Sequence, residues 1–193
     1  MILVADVETS GLLVKDKPLT DPSQPRVVQL GYVVHNADRR EVFTHRTLLQ
    51  PDGWEIAKEA AAVHGYSTEE CRRYGQHPAI ALIGFASMLD TVRILCAHNL
   101  GFDLRMLERE ANLLPEPQRT QVKLRLERSR LRRVCSMKTG TVLFPDGKWP
   151  TLSALYRKLH GGQDFTEAHD ALEDARATAS CLWGLIDRRI VEL

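Results

Sequence analysis

A chain of 193 residues is long enough for one well-buried core and short for two, so one domain spanning 1–193 is expected. Its 44% hydrophobic and 26% charged residues are an ordinary globular composition, and a formal charge of +1 singles out no class of partner. Cys71, Cys96, Cys135 and Cys181 are scattered, without C-x-x-C pairs or nearby histidines at metal spacing, which favours free thiols in a reducing compartment over disulfides or zinc. The N-terminus lacks a basic leader region and carries Asp6 inside its apolar run, unlike a signal peptide. The next apolar stretch, Ala79 to Leu89, is too short to span a bilayer, so a cytoplasmic protein without a membrane partner is expected.

Met1 to Glu8 reads as a buried strand through Ile2, Leu3, Val4 and Val7, running into Thr9-Ser10-Gly11-Leu12. Asp6 and Glu8 lie two positions apart, so strand geometry points both carboxylates to one face. Ionised groups in a buried strand are costly unless paired or metal-bound. Pro18, Pro22 and Pro25 make Lys15 to Arg26 a loop. Two β-like runs follow, Arg26 to His35 and Glu41 to Gln50, joined by a polar turn at Asn36 to Arg39; short connections favour antiparallel pairing with the first strand. From about Glu55 to Tyr74 the pattern is two short helices broken at His64-Gly65-Tyr66, with Thr68 as N-cap of the second. A further helix ends near Asp90, and Val92 to Ala97 reads as a fourth strand.

A helix from about Gly101 carries Leu104, Leu107, Ala111 and Leu114 on one face and stops at Pro115 and Pro117. Arg119 to Lys138 is strongly basic, with a helix and then a short strand around Leu131 to Cys135. Its Lys123, Arg125, Arg128, Arg130, Arg132 and Arg133 are either a solvated face or a track for phosphates. Thr151 caps a helix running to about His160, and the last helix, Asp170 to Arg189, buries Ala171, Ala175, Ala179, Leu182, Trp183, Ile186 and Ile190. Strand–helix alternation after an antiparallel start predicts an α/β fold, a mixed sheet with helices on its faces.

Two more places put acids at the ends of core elements, where α/β layers collect ligands. Asp103 follows His98-Asn99-Leu100-Gly101-Phe102, and Asp174 lies one turn into the last helix if Asp170 caps it. Alanines 171 and 175 would let that turn approach the strand bearing Asp6 and Glu8. Four converging carboxylates repel one another unless cations neutralise them, and oxygen-only ligands suit Mg²⁺ or Mn²⁺. Two such ions form the clamp for in-line displacement at phosphorus.

Asp6-Val7-Glu8-Thr9-Ser10-Gly11-Leu12, His98-Asn99-Leu100-Gly101-Phe102-Asp103 and His169-Asp170-Ala171-Leu172-Glu173-Asp174-Ala175 resemble the three exonuclease motifs of the DEDD superfamily, in the spacing of its histidine branch, the DnaQ-like 3′→5′ exonucleases. The resemblance spans nearly the whole chain and implies a ribonuclease H-like five-stranded sheet. It further implies that Asp6, Glu8 and Asp174 hold the metal carrying the attacking water, that Asp6 bridges to a second metal on which Asp103 acts, and that His169 is the general base. An imidazole suits that task because its ordinary pKa, about 6.5, lies near working pH.

Beside the metals, Thr9, Gly11 and Leu12 are candidates to meet the terminal sugar and base, and Phe102 to stack a base or pack in the core. His64-Gly65-Tyr66-Ser67 resembles a segment of the family near the substrate cleft, which makes His64 a candidate; His98 and Asn99 are read as bracing the loop, with Asn99 kept as a substrate contact. Asp170 and Glu173 read as first-turn helix acids and Trp149 as packing; Lys148-Trp149-Pro150-Thr151-Leu152 also resembles the family but offers no chemistry. The proline-rich loop departs from shorter family members. The expected activity is metal-dependent removal of nucleoside 5′-monophosphates from single-stranded 3′ ends, with DNA favoured over RNA. An exoribonuclease or oligoribonuclease, and a nucleic-acid-binding, polymerase-associated module, stand as alternatives; a polymerase or a second copy of the chain stays open as protein partner.

Overall fold

The computed structural model describes residues 1–128, 130–166 and 168–192. Strand β1 (Ile2–Thr9) is the middle of a five-stranded sheet. On one side it pairs antiparallel with β2 (Val27–His35), which pairs antiparallel with β3 (Glu41–Leu48). On the other it runs parallel to β4 (Ile94–Ala97), itself parallel to β5 (Arg132–Cys135), so the order is β3-β2-β1-β4-β5. The tight turn at Asn36 forces the antiparallel pair, whereas parallel neighbours require the helical crossovers that follow β3 and β4. These are α1 (Lys58–His64), α2 (Thr68–Tyr74), α3 (Pro78–Leu89), α4 (Leu100–Asn112) and α5 (Gln118–Leu126). After β5 come α6 (Ser136–Gly140) with a 3-10 turn (Thr141–Leu143), α7 (Leu152–Leu159) and α8 (Ala171–Asp187).

Period-2 alternation in β1 divides the core. Leu3, Ala5 and Val7 face one way and pack with Leu30, Tyr32, Phe85 and Met106 under α3, α4 and α5. Ile2 and Val4 face the other way, with Val33, Cys96, Leu155, Leu182 and Leu185 under α7 and α8. Asp6 and Glu8 extend this second set, so the strand that anchors the core delivers two carboxylates beneath the start of α8.

Local details differ from expectation. The N-cap of α2 is Ser67, not Thr68: Ser67 accepts the Glu70 N–H and Glu70 accepts the Ser67 N–H, while the Thr68 hydroxyl accepts the Ile56 N–H at 2.9 Å. β4 begins at Ile94 rather than Val92, and α6 breaks a stretch in which no helix is expected. α8 stops at Asp187, and Ile190 folds back to donate its N–H to the Leu185 carbonyl. Trp149 is exposed rather than packed, at 64%. Thr151 and Asp170 cap α7 and α8 as expected. Among the described residues, no helix is long and apolar enough to cross a membrane.

The loop after Leu12 is irregular but tied down. Buried Gln24 accepts the Val14 N–H and donates to the carbonyls of Val14 and Lys17. Arg26 forms a two-pronged pair with buried Glu110 of α4, both contacts 2.8 Å, and Glu110 also accepts the Val27 N–H. The Ser10 N–H donates to the Arg26 carbonyl and the Ser10 hydroxyl accepts the Arg26 N–H, each at 2.9 Å, so this fixed base sets the exit of β1.

Candidate active site

The carboxyl ends of β1 and β4 and the first turns of α4 and α8 meet at one place. Asp6 pairs across the sheet with Gly31, and the missing side chain there lets α8 settle onto the sheet. A Cβ on Gly31 would lie 2.3 Å from the backbone carbon of Ala171 and the nitrogen of Leu172. Ala171 and Ala175, fully buried, keep the same turn close. Gln29, opposite Glu8 on this face, holds the helix start: its carbonyl oxygen accepts the Ala171 N–H at 2.7 Å and its amide donates to Asp170 at 2.9 Å. The Tyr66 hydroxyl donates to Asp170 at 2.8 Å and Arg46 pairs with it at 3.1 Å. Burial pushes the Asp170 carboxyl upward, but hydrogen bonds from Gln29 and Tyr66 outweigh it, helped by the Glu173 amide and Arg46, and its pKa falls below the usual value. Asp170 is thus an anchored helix cap, and Glu173 pairs with Arg176 at 2.7 Å, as first-turn acids would.

The four remaining acids are strained electrostatically. Burial, then the charges of Asp103, Asp174, Glu8 and Asp170, raise Asp6 well above the ordinary carboxylate range. Glu8 is pushed to about 7 by burial, then by Asp174 and Asp170. Asp103, only 4% exposed in the first turn of α4, is pushed to about 7 by burial and the Glu8 charge, against a pull downward from its own N–H and that of Val7. Asp174 reaches about 6, raised chiefly by burial and opposed by the His169 N–H, which donates to its Oδ2 at 3.2 Å. The expected quartet is therefore one mutually repelling group. Donor atoms of Glu8, Asp174 and His169 all lie within 4.8 Å of one another. His169 joins the acids from an exposed, left-handed position (φ 72°) held by the bond from its own backbone to Asp174.

A divalent cation fits this donor set. Among the described residues Asp174 Oδ1 is buried with no hydrogen-bond partner, the converging carboxylates offer hard oxygen donors, and bound positive charge would relieve the repulsion that helps raise these pKa values.

The other predicted residues divide. Thr9 ends β1 and donates its hydroxyl to the Gly11 carbonyl at 2.7 Å, and Leu12 beyond it is 84% exposed. His64 is buried; its Nδ1 accepts the Tyr66 N–H at 3.1 Å, so Nε2 carries the proton, and it has no partner among the described residues. Burial and the nearby His169 lower its pKa. Phe102 packs half-buried on the core. Asn99 is the N-cap of α4 but makes no side-chain cap bond and is exposed. His98 braces the loops as expected, with Nδ1 3.0 Å from the Ser136 hydroxyl and Nε2 3.0 Å from the Pro150 carbonyl. Much of the basic segment is paired within the fold: Arg125 and Arg128 both bind Asp90, Lys123 bonds Asn112, and Arg133 donates to the Leu126 carbonyl. Gln29, Gly31, Arg46 and Tyr66 were not legible as site residues. Only Tyr66 lay within a motif-like segment, and the others take their roles from strand register.

A mixed sheet presenting clustered acids at the ends of adjacent parallel strands defines a nuclease-like α/β protein. Residues 3–182 match the sequence model of the RNase_T family, described as exonuclease, and the chain belongs to that family. A comparison with curated proteins gives no match. Among solved structures, E. coli exonuclease I in complex with a dT13 oligonucleotide superposes with a TM-score of 0.73 at 20% identity, covering 97% of this chain and 41% of that one. The zinc-bound complex of E. coli exonuclease I with single-stranded DNA gives 0.73 at 20% identity, covering 97% and 40%. Exonuclease I from Methylocaldum szegediense gives 0.73 at 21% identity, with the same coverage. This chain thus spans about two fifths of the length of the exonuclease I chains it matches.

Proposed function

We propose that residues 1–193 form one exonuclease domain that removes nucleoside 5′-monophosphates from the 3′ end of single-stranded DNA. The observation that carries this reading is the convergence of Asp6, Glu8, Asp103 and Asp174, their pKa values all raised, with an exposed histidine among their oxygens. Their donor set suits Mg²⁺ or Mn²⁺ ions, which when bound by these four residues would supply the charge that activates water and stabilises entering and leaving oxygens.

The chain's own groups would divide the rest of the work. His169 is solvent-accessible and beside Glu8 and Asp174, so its ring can take the proton of the attacking water and pass it to solvent. The partnerless Nε2–H of His64 offers a donor to a phosphate or sugar oxygen. Thr9 and Gly11 form the turn leaving β1, and exposed Leu12 offers an apolar surface to the terminal base. Phe102 backs this area from the core, and Asn99 presents a free amide at the same strand ends. Single-stranded DNA is chosen because the structural relatives include exonuclease I bound to oligonucleotides of that kind.

The test is digestion of 5′-labelled DNA and RNA, single- and double-stranded, with Mg²⁺ or Mn²⁺ and with chelator. Metal-dependent shortening of single-stranded DNA from its 3′ end is expected, absent in Asp6→Ala and Asp174→Ala variants that keep the native circular dichroism spectrum. Preference for RNA, internal cleavage, or activity in either variant would overturn the reading.

A further inference from the structure

A groove of about 530 Å³ lies outside the carboxylate site, along the free edge of β5, with Arg132, Lys138, Thr139 and Arg189 among its walls. Arg132, Lys138 and Arg189 make no ion pair among the described residues, unlike Arg125 and Arg128 on the neighbouring face. Cations on an open sheet edge also guard against pairing with another sheet, so charge alone would mean little.

A second feature adjoins the groove. Exposed Trp149 lies beside one of its cations, with Lys138 Nζ 5.7 Å from the ring centroid. The next residue, buried Pro150, is held through its carbonyl to His98 Nε2, and the other His98 nitrogen holds Ser136, at the start of the helix carrying Lys138. His98 directly follows β4 and precedes the helix that bears Asp103. One buried imidazole therefore ties the backbone next to Trp149 and the start of the helix carrying Lys138 to the end of β4. An exposed, anchored aromatic followed by unpaired cations is the arrangement that binds single strands without reading sequence: the ring takes a base face and the cations take phosphates.

We infer that Trp149, Lys138, Arg132 and Arg189 form a track for the nucleic-acid strand upstream of the terminal nucleotide. This rests on the exonuclease reading and deepens it, because it makes length of single strand a determinant of substrate choice. A base stacks on Trp149 beside Lys138, and the backbone continues along β5, whose four residues span about 13 Å, room for about two phosphates.

The test compares a long oligothymidylate with the p-nitrophenyl ester of thymidine 5′-monophosphate, which reaches only the carboxylate site. In Trp149→Ala, KM for the long strand should rise about tenfold or more with kcat little changed, the scale of one lost base stack. In Arg132→Gln/Arg189→Gln, the slope of log affinity against log salt should shrink by about 1.4, two single-strand phosphate contacts. Neither change should alter kcat/KM for the small ester. Equal losses on both substrates, unchanged KM for the long strand, or displacement of the strand by polyglutamate as effectively as by unlabelled oligonucleotide would overturn the track. Failure of the unaltered protein to hydrolyse either substrate would instead strike at the exonuclease reading.

Discussion

Replacing Asp103 by Asn should make the metal-free protein more stable while destroying its activity. Asp103 is 4% exposed and its pKa stands at about 7 against an ordinary 3.8. A carboxyl whose pKa is higher in the folded state favours folding when protonated, so its stabilising effect is present at low pH and is lost as pH rises from about 4 through about 7. At about 1.4 kcal/mol per pH unit, the full shift would cost about 4 kcal/mol above neutrality. The Asp103 charge also raises Asp6, while Glu8 raises Asp103, so these costs overlap, and about 2–4 kcal/mol is the expected gain. The amide keeps an oxygen for the Val7 and Asp103 N–H groups. For a chain of this size that corresponds to a rise in Tm of roughly 4–16 °C. The assay is denaturant unfolding in chelator at about pH 8 and about pH 4, with and without the substitution. A large gain at the higher pH and almost none at the lower is expected. An Asp103→Asn protein no more stable than the parent at about pH 8 would refute the reasoning, because neither the burial cost of the charge nor the repulsion would then exist.

Divalent metal at a hundred times Kd should stabilise the parent protein by about 2.7 kcal/mol, relieving the same repulsion and raising its Tm, and thermal scans of Asp174→Ala should show little of that shift. His169→Ala should lower kcat by about 10²–10⁴-fold with metal-induced stabilisation largely kept; a near-normal rate in single-turnover assays would remove the imidazole from proton transfer. Gly31→Ala should push α8 off the sheet, since its Cβ would sit 2.3 Å from rigid backbone of Ala171 and Leu172. Overpacking of that kind costs about 1–3 kcal/mol, and a shift of the Asp174 turn by about 1 Å can cost about 100-fold in rate. Unfolding and steady-state kinetics would show both losses together, and a variant with parental kcat would mean the helix can move without consequence.

How far the site was legible depended on how local its signals are. Asp6 and Glu8 could be placed on one face because strand alternation is a property of neighbouring residues, and Asp170 could be placed as a cap because the acid precedes the helix it closes. Three motifs singled out Asp6, Glu8, Asp103, His169 and Asp174 as candidates from the sequence alone, and the mixed sheet followed from connection lengths. Trp149 was expected to pack rather than to meet substrate, yet it is exposed, because what covers a side chain is decided by segments elsewhere in the chain.

The tertiary structure alone decided which residues support the acids. Gln29 clamps α8, and Gly31 admits it, only because register sets them opposite Glu8 and Asp6. Likewise, Asp90 neutralises Arg125 and Arg128 from α3's end, while Arg132 on the sheet edge makes no ion pair among the described residues. Local composition encodes what a residue can do; register and packing between distant segments determine which partners it meets, and burial and charge then act through those partners.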